Sequence, residues 1–273
     1  MCPNSNEQLM AKILADLSHN IYSDGLAPAV RNIGEMLGDI TSAMTLFTLP
    51  FAIIGNQAEK YRQKYCYFLT KTYQKVPIDY QIKPDNDISF PIIQNLLMSF
   101  EKEDICELYS NLLASASDTR TKDKPHPSFP LVISQLSSIE AIILKILRKE
   151  SNIPFLEFQA TGSDFPITPI EPFSIIPNYE LDYFGVTAAF RNLLRLGLIH
   201  KQTGILKANS AYNSFETIYA SPIFDGIRKW KPTLYSPFKI QLEHGQLELL
   251  HGSFMATTYG SRFISCCFID GDI

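Results

Sequence analysis

The sequence predicts a mainly α-helical protein with a minor β component: an N-terminal multi-helix domain followed by a winged-helix-like α+β module. Three observations carry that expectation. Apolar residues recur at helical spacing through most of residues 7–147. Prolines at 154, 166, 169, 172 and 177 then interrupt any period. Beyond them the chain reads as one helix, short extended pieces and a closing helix. The expected division is a helical domain over 1–136, a winged-helix-like module from 137–149 and 179–273, and a proline-rich bridge over 150–178.

Leu9, Ile13, Leu14, Leu17 and Ile21 mark a first helix over 7–22, which Asp24-Gly25 ends. A second begins near Leu26 and Pro28, proline being suited to a first turn. Residues 40–58 then carry no charged side chain, and Gly34, Gly38 and Ser42 place small residues on one face. Such a run approaches the ~20 residues needed to cross a bilayer, and small-residue stripes favour helix pairing in lipid. Phe47, Leu49, Phe51 and Ile53 belong to this candidate membrane segment. Thr41, Ser42, Thr45, Thr48, Asn56, Gln57 and the internal Pro50 favour instead a buried helix that Pro50 bends or ends. Insertion on activation stands as the alternative.

Residues 59–76 read as an amphipathic surface helix with Tyr61, Tyr65, Phe68 and Leu69 on one side. Helices over 90–100 and 104–116 follow a loop, the second with Ile105, Leu108, Leu112 and Leu113 on one face. After a polar loop at 118–124, Pro127 opens a helix through Leu131, Ile133 and Leu136. Ser137-Ser138-Ile139-Glu140 is a capping box, in which Ser137 and Glu140 satisfy each other's exposed amides. Residues 183–199 read as a helix that Gly197 terminates. Residues 238–242 and 246–250 suggest a hairpin, and Thr257-Thr258 caps a last helix.

With 45% hydrophobic and 19% charged residues among 273, this is a folding sequence. Its net charge of -4 is evenly spread: residues 1–150 hold 15 basic and 17 acidic side chains, so neither half has the basic excess of a phosphate-gripping protein. Five cysteines at spacings that match no disulfide framework, and a start without a secretory pattern, point to the cytosol, with membrane association confined to an active state.

No phosphate loop, dinucleotide fingerprint, HExxH, GxSxG or paired CxxC occurs. That argues against an ordinary enzyme: no catalytic residue, metal or cofactor is expected. His126 near Asp118 and Asp123 is the one grouping of imidazole and carboxylates, the material of a metal-dependent nuclease. A histidine before a proline at a helix start more often bonds backbone. Arg191 and Arg195, four apart on one helix and extended by Lys201, form a candidate contact for nucleic acid or a protein partner. The weak basic balance favours protein.

Several pieces read together resemble the bacterial Abi-alpha (abortive infection alpha) family. They are the NLLASA helix end at 111–116, His126-Pro127-Ser128-Phe129, Ile133, Gln135-Leu136-Ser137 and Glu140-Ala141. The stretch DGLAPAVRNIGEMLGDI is similar to that family's N-terminal helix. Residues 192–199 resemble its second landmark, and 258–264 its closing Thr-x-x-Gly-x-x-Phe pattern. The likeness spans about residues 20–268. The usual Leu-Ser-Pro-x-Glu is here Leu136-Ser137-Ser138-Ile139-Glu140, and the closing motif lacks its typical lysine. The resemblance implies defence against phage by harming or arresting the infected cell, and no established active site. The expectation is a non-enzymatic effector or adaptor that responds to an unidentified phage trigger through a protein partner or self-association. A membrane-disrupting effector using 40–58, a nuclease around His126 and a DNA-binding winged-helix regulator are the alternatives. His126, Pro127, Phe129, Leu136, Ser137 and Glu140 read as architecture that turns and caps two helices.

Overall fold

The computed structural model describes residues 58–161, 167–176, 183–203, 215–222, 224–225 and 246–269. The helices expected before residue 58, the candidate membrane residues Phe47, Leu49, Phe51 and Ile53, and the hairpin arm at 238–242 lie outside them. The described architecture is mainly helical with a small antiparallel sheet. The chain divides into two compact units, Met1–Leu136 with Ser265–Ile273, and Ser137–Ile264. Among the described residues no helix is long and apolar enough to cross a membrane.

The first unit contains α1 (Ala58–Gln74), a 3-10 turn (Ile78–Tyr80), α2 (Asn86–Leu96), α3 (Glu103–Ala116) and α4 (Phe129–Ser134). α3 is central and packs against each of the other three helices. Glu103 and Asp104 in its first turn suit the positive end of the helix dipole, and residues 108–116 are all buried. α2 begins four residues earlier than its apolar pattern suggests, because the Asp85 carbonyl accepts from the amides of Ile88 and Ser89 and starts the helix ahead of Pro91.

Polar side chains fix the registers in this unit. Thr72 of α1 donates to the Phe68 carbonyl at 2.8 Å and meets Ser110 of α3 at 3.0 Å, both in buried positions. Lys71 and Lys75 both grip Glu107, and Lys75 also donates to Asn111 Oδ1. Burial alone would raise the Glu107 carboxyl; the hydrogen bonds and charges of the two lysines outweigh it and hold Glu107 below the ordinary glutamate value. Asn111 Nδ2 and Ser115 Oγ donate to the carbonyls of Cys267 and Cys266, at 2.8 and 3.0 Å. These two adjacent cysteines are buried and form no disulfide. Their neighbour Phe268 is buried too.

The second unit starts with α5 (Ser138–Glu150). Then come β1 (Asn152–Thr161), β2 (Ile167–Phe173), α6 (Tyr183–Arg195), β3 (Ile199–Thr203), α7 (Phe215–Tyr219), β4 (Gln246–Ala256) and the start of α8 (Thr258–Cys267). The sheet order is β2-β1-β4-β3, antiparallel throughout. The segment at 150–178 therefore does more than bridge, since it supplies both β1 and β2. Pro169 and Pro172 lie on β2, an outer strand of the sheet, where a missing N–H costs no central ladder bond. Residues 153–157 of β1 are all buried, so this stretch shows no in–out alternation. Phe254 of β4 stacks on Phe190 of α6 at 4.2 Å and meets Phe155 of β1 at 4.7 Å, the core of the helix-covered face. Leu156 packs with Ile218 and Phe224 in a second cluster, which Ile175, Phe215 and Tyr219 complete. Residues 246–250, expected as one hairpin arm, open β4.

Candidate functional site

Within the second unit, three landmarks of the sequence converge on the ends of α5, α6 and α8. At the start of α5 the capping box forms in both directions: Ser137 Oγ accepts from the amide of Glu140, while Glu140 Oε2 accepts from the amide and hydroxyl of Ser137. Glu140 is buried, and its other oxygen, Oε1, accepts from Asn192 Nδ2 of α6 at 2.7 Å. The Asn192 amide is thereby oriented, and its Oδ1 accepts from Arg195 Nε at 3.1 Å and Nη2 at 2.7 Å. A polar relay runs from Ser137 through Glu140 and Asn192 to the exposed guanidinium of Arg195.

α6 closes with a Schellman motif. The amide of Leu198 reaches the Leu193 carbonyl at 3.1 Å, that of Gly197 reaches the Leu194 carbonyl at 3.0 Å, and Gly197 adopts φ 69°. Thr257 then ties this end to α8. Its hydroxyl donates to the Gly197 carbonyl at 2.6 Å and accepts from the amide of Gly260 at 2.9 Å, as an N-cap should. The first turn of α8 presses so close that a Cβ on Gly260 would lie 1.8 Å from the Leu198 oxygen.

The other signature residues belong to the first unit and form a turn. His126 Nδ1 accepts from the amide of Ser128 at 3.2 Å and lies 2.7 Å from its hydroxyl; an acceptor Nδ1 implies the tautomer protonated at Nε2. The Phe129 amide bonds the His126 carbonyl at 2.9 Å, the two rings lie 5.8 Å apart, and Phe129 is fully buried. Pro127 lies in the turn, and Leu136, just beyond α4, is buried. Asp118 is held by Arg120, whose guanidinium and amide hydrogen bonds keep its carboxyl below the usual aspartate value. That guanidinium lies 4.3 Å from the Tyr80 ring centre. Among the described residues no three His, Cys, Asp or Glu side chains form a group that could hold a metal. Asp118, Asp123 and His126 are therefore not assembled into one.

Of the candidate contact residues, Arg191 and Arg195 are exposed along α6. Lys201 of β3 projects to buried Glu157, at 2.8 and 3.1 Å from its two oxygens. Sequence reasoning missed that ion pair, the Asn192 link and the contact of the Tyr219 hydroxyl with His251 Nε2 at 2.5 Å. Each joins residues far apart in the chain, for which local spacing holds no signal. Thr257 was visible as a cap but not as a tie.

No curated protein and no solved structure matches the chain. The family model described as "Abortive infection alpha" matches residues 56–267, most of the chain and all three of these converging landmarks; the protein belongs to the abortive infection alpha family.

Proposed function

We propose that the chain is a cytosolic anti-phage effector or adaptor that works by binding rather than by catalysis. The observation that carries this reading is the engagement of Glu140. The signature's buried carboxylate is saturated by a helix cap on one oxygen and by Asn192 on the other, so its chemistry goes into joining helices. His126 and Asp118 likewise bond their own turns. In the second unit, α5, β1, α6, β3 and β4 follow one another, and β4 lies between β1 and β3. That order supports a winged-helix-like module with β2 and α7 added. Such a scaffold presents the exposed Arg191 and Arg195 of α6 as a contact face for a protein partner.

The test is plaque counting on hosts carrying the wild-type chain, a folded His126→Ala variant or no insert, with a membrane-potential dye followed through infection. Fewer plaques for wild type and equal protection by His126→Ala are expected. Loss of protection in the folded variant would overturn the reading in favour of chemistry at His126. Early collapse of the potential would overturn it in favour of the segment at 40–58.

A further inference from the structure

We propose that copies of this chain bind one another, the exposed face of α6 in one copy docking on the acidic turn around Met98 of another. The inference rests on the binding reading above and names the partner. Phe184, Ala188, Arg191 and Arg195 fall at i, i+4, i+7 and i+11, one stripe of α6, and all four are exposed. Phe184, 79% exposed, sits at the apolar end, and the Asn192 relay steadies Arg195 at the basic end.

Met98 is 83% exposed, and the residues that follow it into α3 include exposed Glu101, Glu103 and Asp104 around a single Lys102. Glu101 pairs with Lys64, which makes Glu103 and Asp104 the carboxylates to meet the arginines. Helix-dipole complementarity accounts for acids in that turn but not for the methionine beside them. One patch is aromatic and basic, the other thioether and acidic, so each offers the other an apolar anchor flanked by opposite charge. Exposed aromatic and arginine side chains are the types that carry protein contacts. Nucleic acid fits less well, since Lys201 is engaged by Glu157 and the whole chain is acidic. The two patches differ, so the contact is heterologous unless a two-fold axis repeats it.

Sedimentation velocity on the full chain, across micromolar concentrations and at low and high salt, tests this. Wild type should sediment above a single chain and fall toward it as salt screens the pairs. R191E/R195E and E103R/D104R should each be monomeric with unchanged circular dichroism, and the four substitutions combined in one chain should restore assembly. Phe184→Ser should weaken association at least fivefold. A wild-type chain that stays monomeric, or reversals that assemble like wild type, would overturn the proposal. So would a monomeric protein that binds a labelled DNA duplex through Arg191 and Arg195. A monomer that still protects against phage removes self-association alone, whereas an assembling chain without protection removes the defence reading alone.

Discussion

A methyl group added at Gly260 would lie 1.8 Å from the Leu198 oxygen and 2.7 Å from its carbonyl carbon, whereas one at Gly197 would meet nothing within 4 Å. The two glycines are thus required for different reasons. Gly260 makes room where α8 starts against the end of α6; Gly197 supplies φ 69°, which other residues reach at a cost of roughly 1–2 kcal/mol. Gly260→Ala must move backbone, so its loss should exceed the usual overpacking cost of about 1–3 kcal/mol. Urea unfolding of the two alanine variants should show Gly260→Ala as clearly the worse. Equal losses would mean that α8 can shift its first turn without penalty. Sequence spacing identified Gly197 because a helix terminator leaves a local signature. Gly260 carried no comparable signal, since its constraint comes from a carbonyl more than sixty positions earlier.

At the scale of elements, α5 and α6 are joined by Glu140 and Asn192, 52 positions apart. A buried carboxylate bonded on both oxygens couples its partners, and contacting residues in one network show interaction energies of about 0.5–3 kcal/mol. Glu140→Ala and Asn192→Ala, alone and combined, should unfold with a coupling inside that range. Ser137→Ala combined with Asn192→Ala should couple more weakly, since Ser137 bonds the other carboxylate oxygen. Additive losses for Glu140 and Asn192 would show the relay to be of no energetic consequence. The capping half of this arrangement is legible in sequence because its partners lie three residues apart. The α6 half is not, nor is the Lys201 pairing with Glu157, because strand register decides which side chains meet across a sheet. β1 and β2 stayed hidden for another reason. Pro154, Pro169 and Pro172 resemble loop signals, yet β2 accepts its two as an outer strand, and burial on both faces removes the alternation that would have marked β1.

For the whole molecule, helical class with a minor sheet was readable because α3 and α5 keep their apolar spacing, and the expected division after residue 136 falls where the two units divide, but the return of the chain's last stretch to the first unit was not readable. Residues 265–269 belong with the first unit, where Cys266, Cys267 and Phe268 are buried and Asn111 and Ser115 donate to the carbonyls of Cys267 and Cys266. Formation of that unit therefore needs residues far along the chain, a long-range closure that slows folding. Asn111 holds the closure from both sides: it donates to the Cys267 carbonyl and accepts from Lys75. Asn111→Leu keeps the branched shape of the side chain but removes its amide and leaves a buried carbonyl unpaired, at about 1–3 kcal/mol. If that loss falls on local opening of the α8 end, Cys267 should be modified by a thiol reagent roughly 5- to 150-fold faster, at tenfold per 1.4 kcal/mol. The closed protein is a quiet background, because burial pushes the Cys267 thiol well above the ordinary cysteine value and the Cys106 thiol up to about 11. Mass spectrometry of the two cysteine peptides separates the outcomes. Acceleration at Cys267 with Cys106 unchanged identifies Asn111 as the latch of α8, equal acceleration at both indicates global unfolding, and no acceleration shows that packing of Cys266, Cys267 and Phe268 suffices without it.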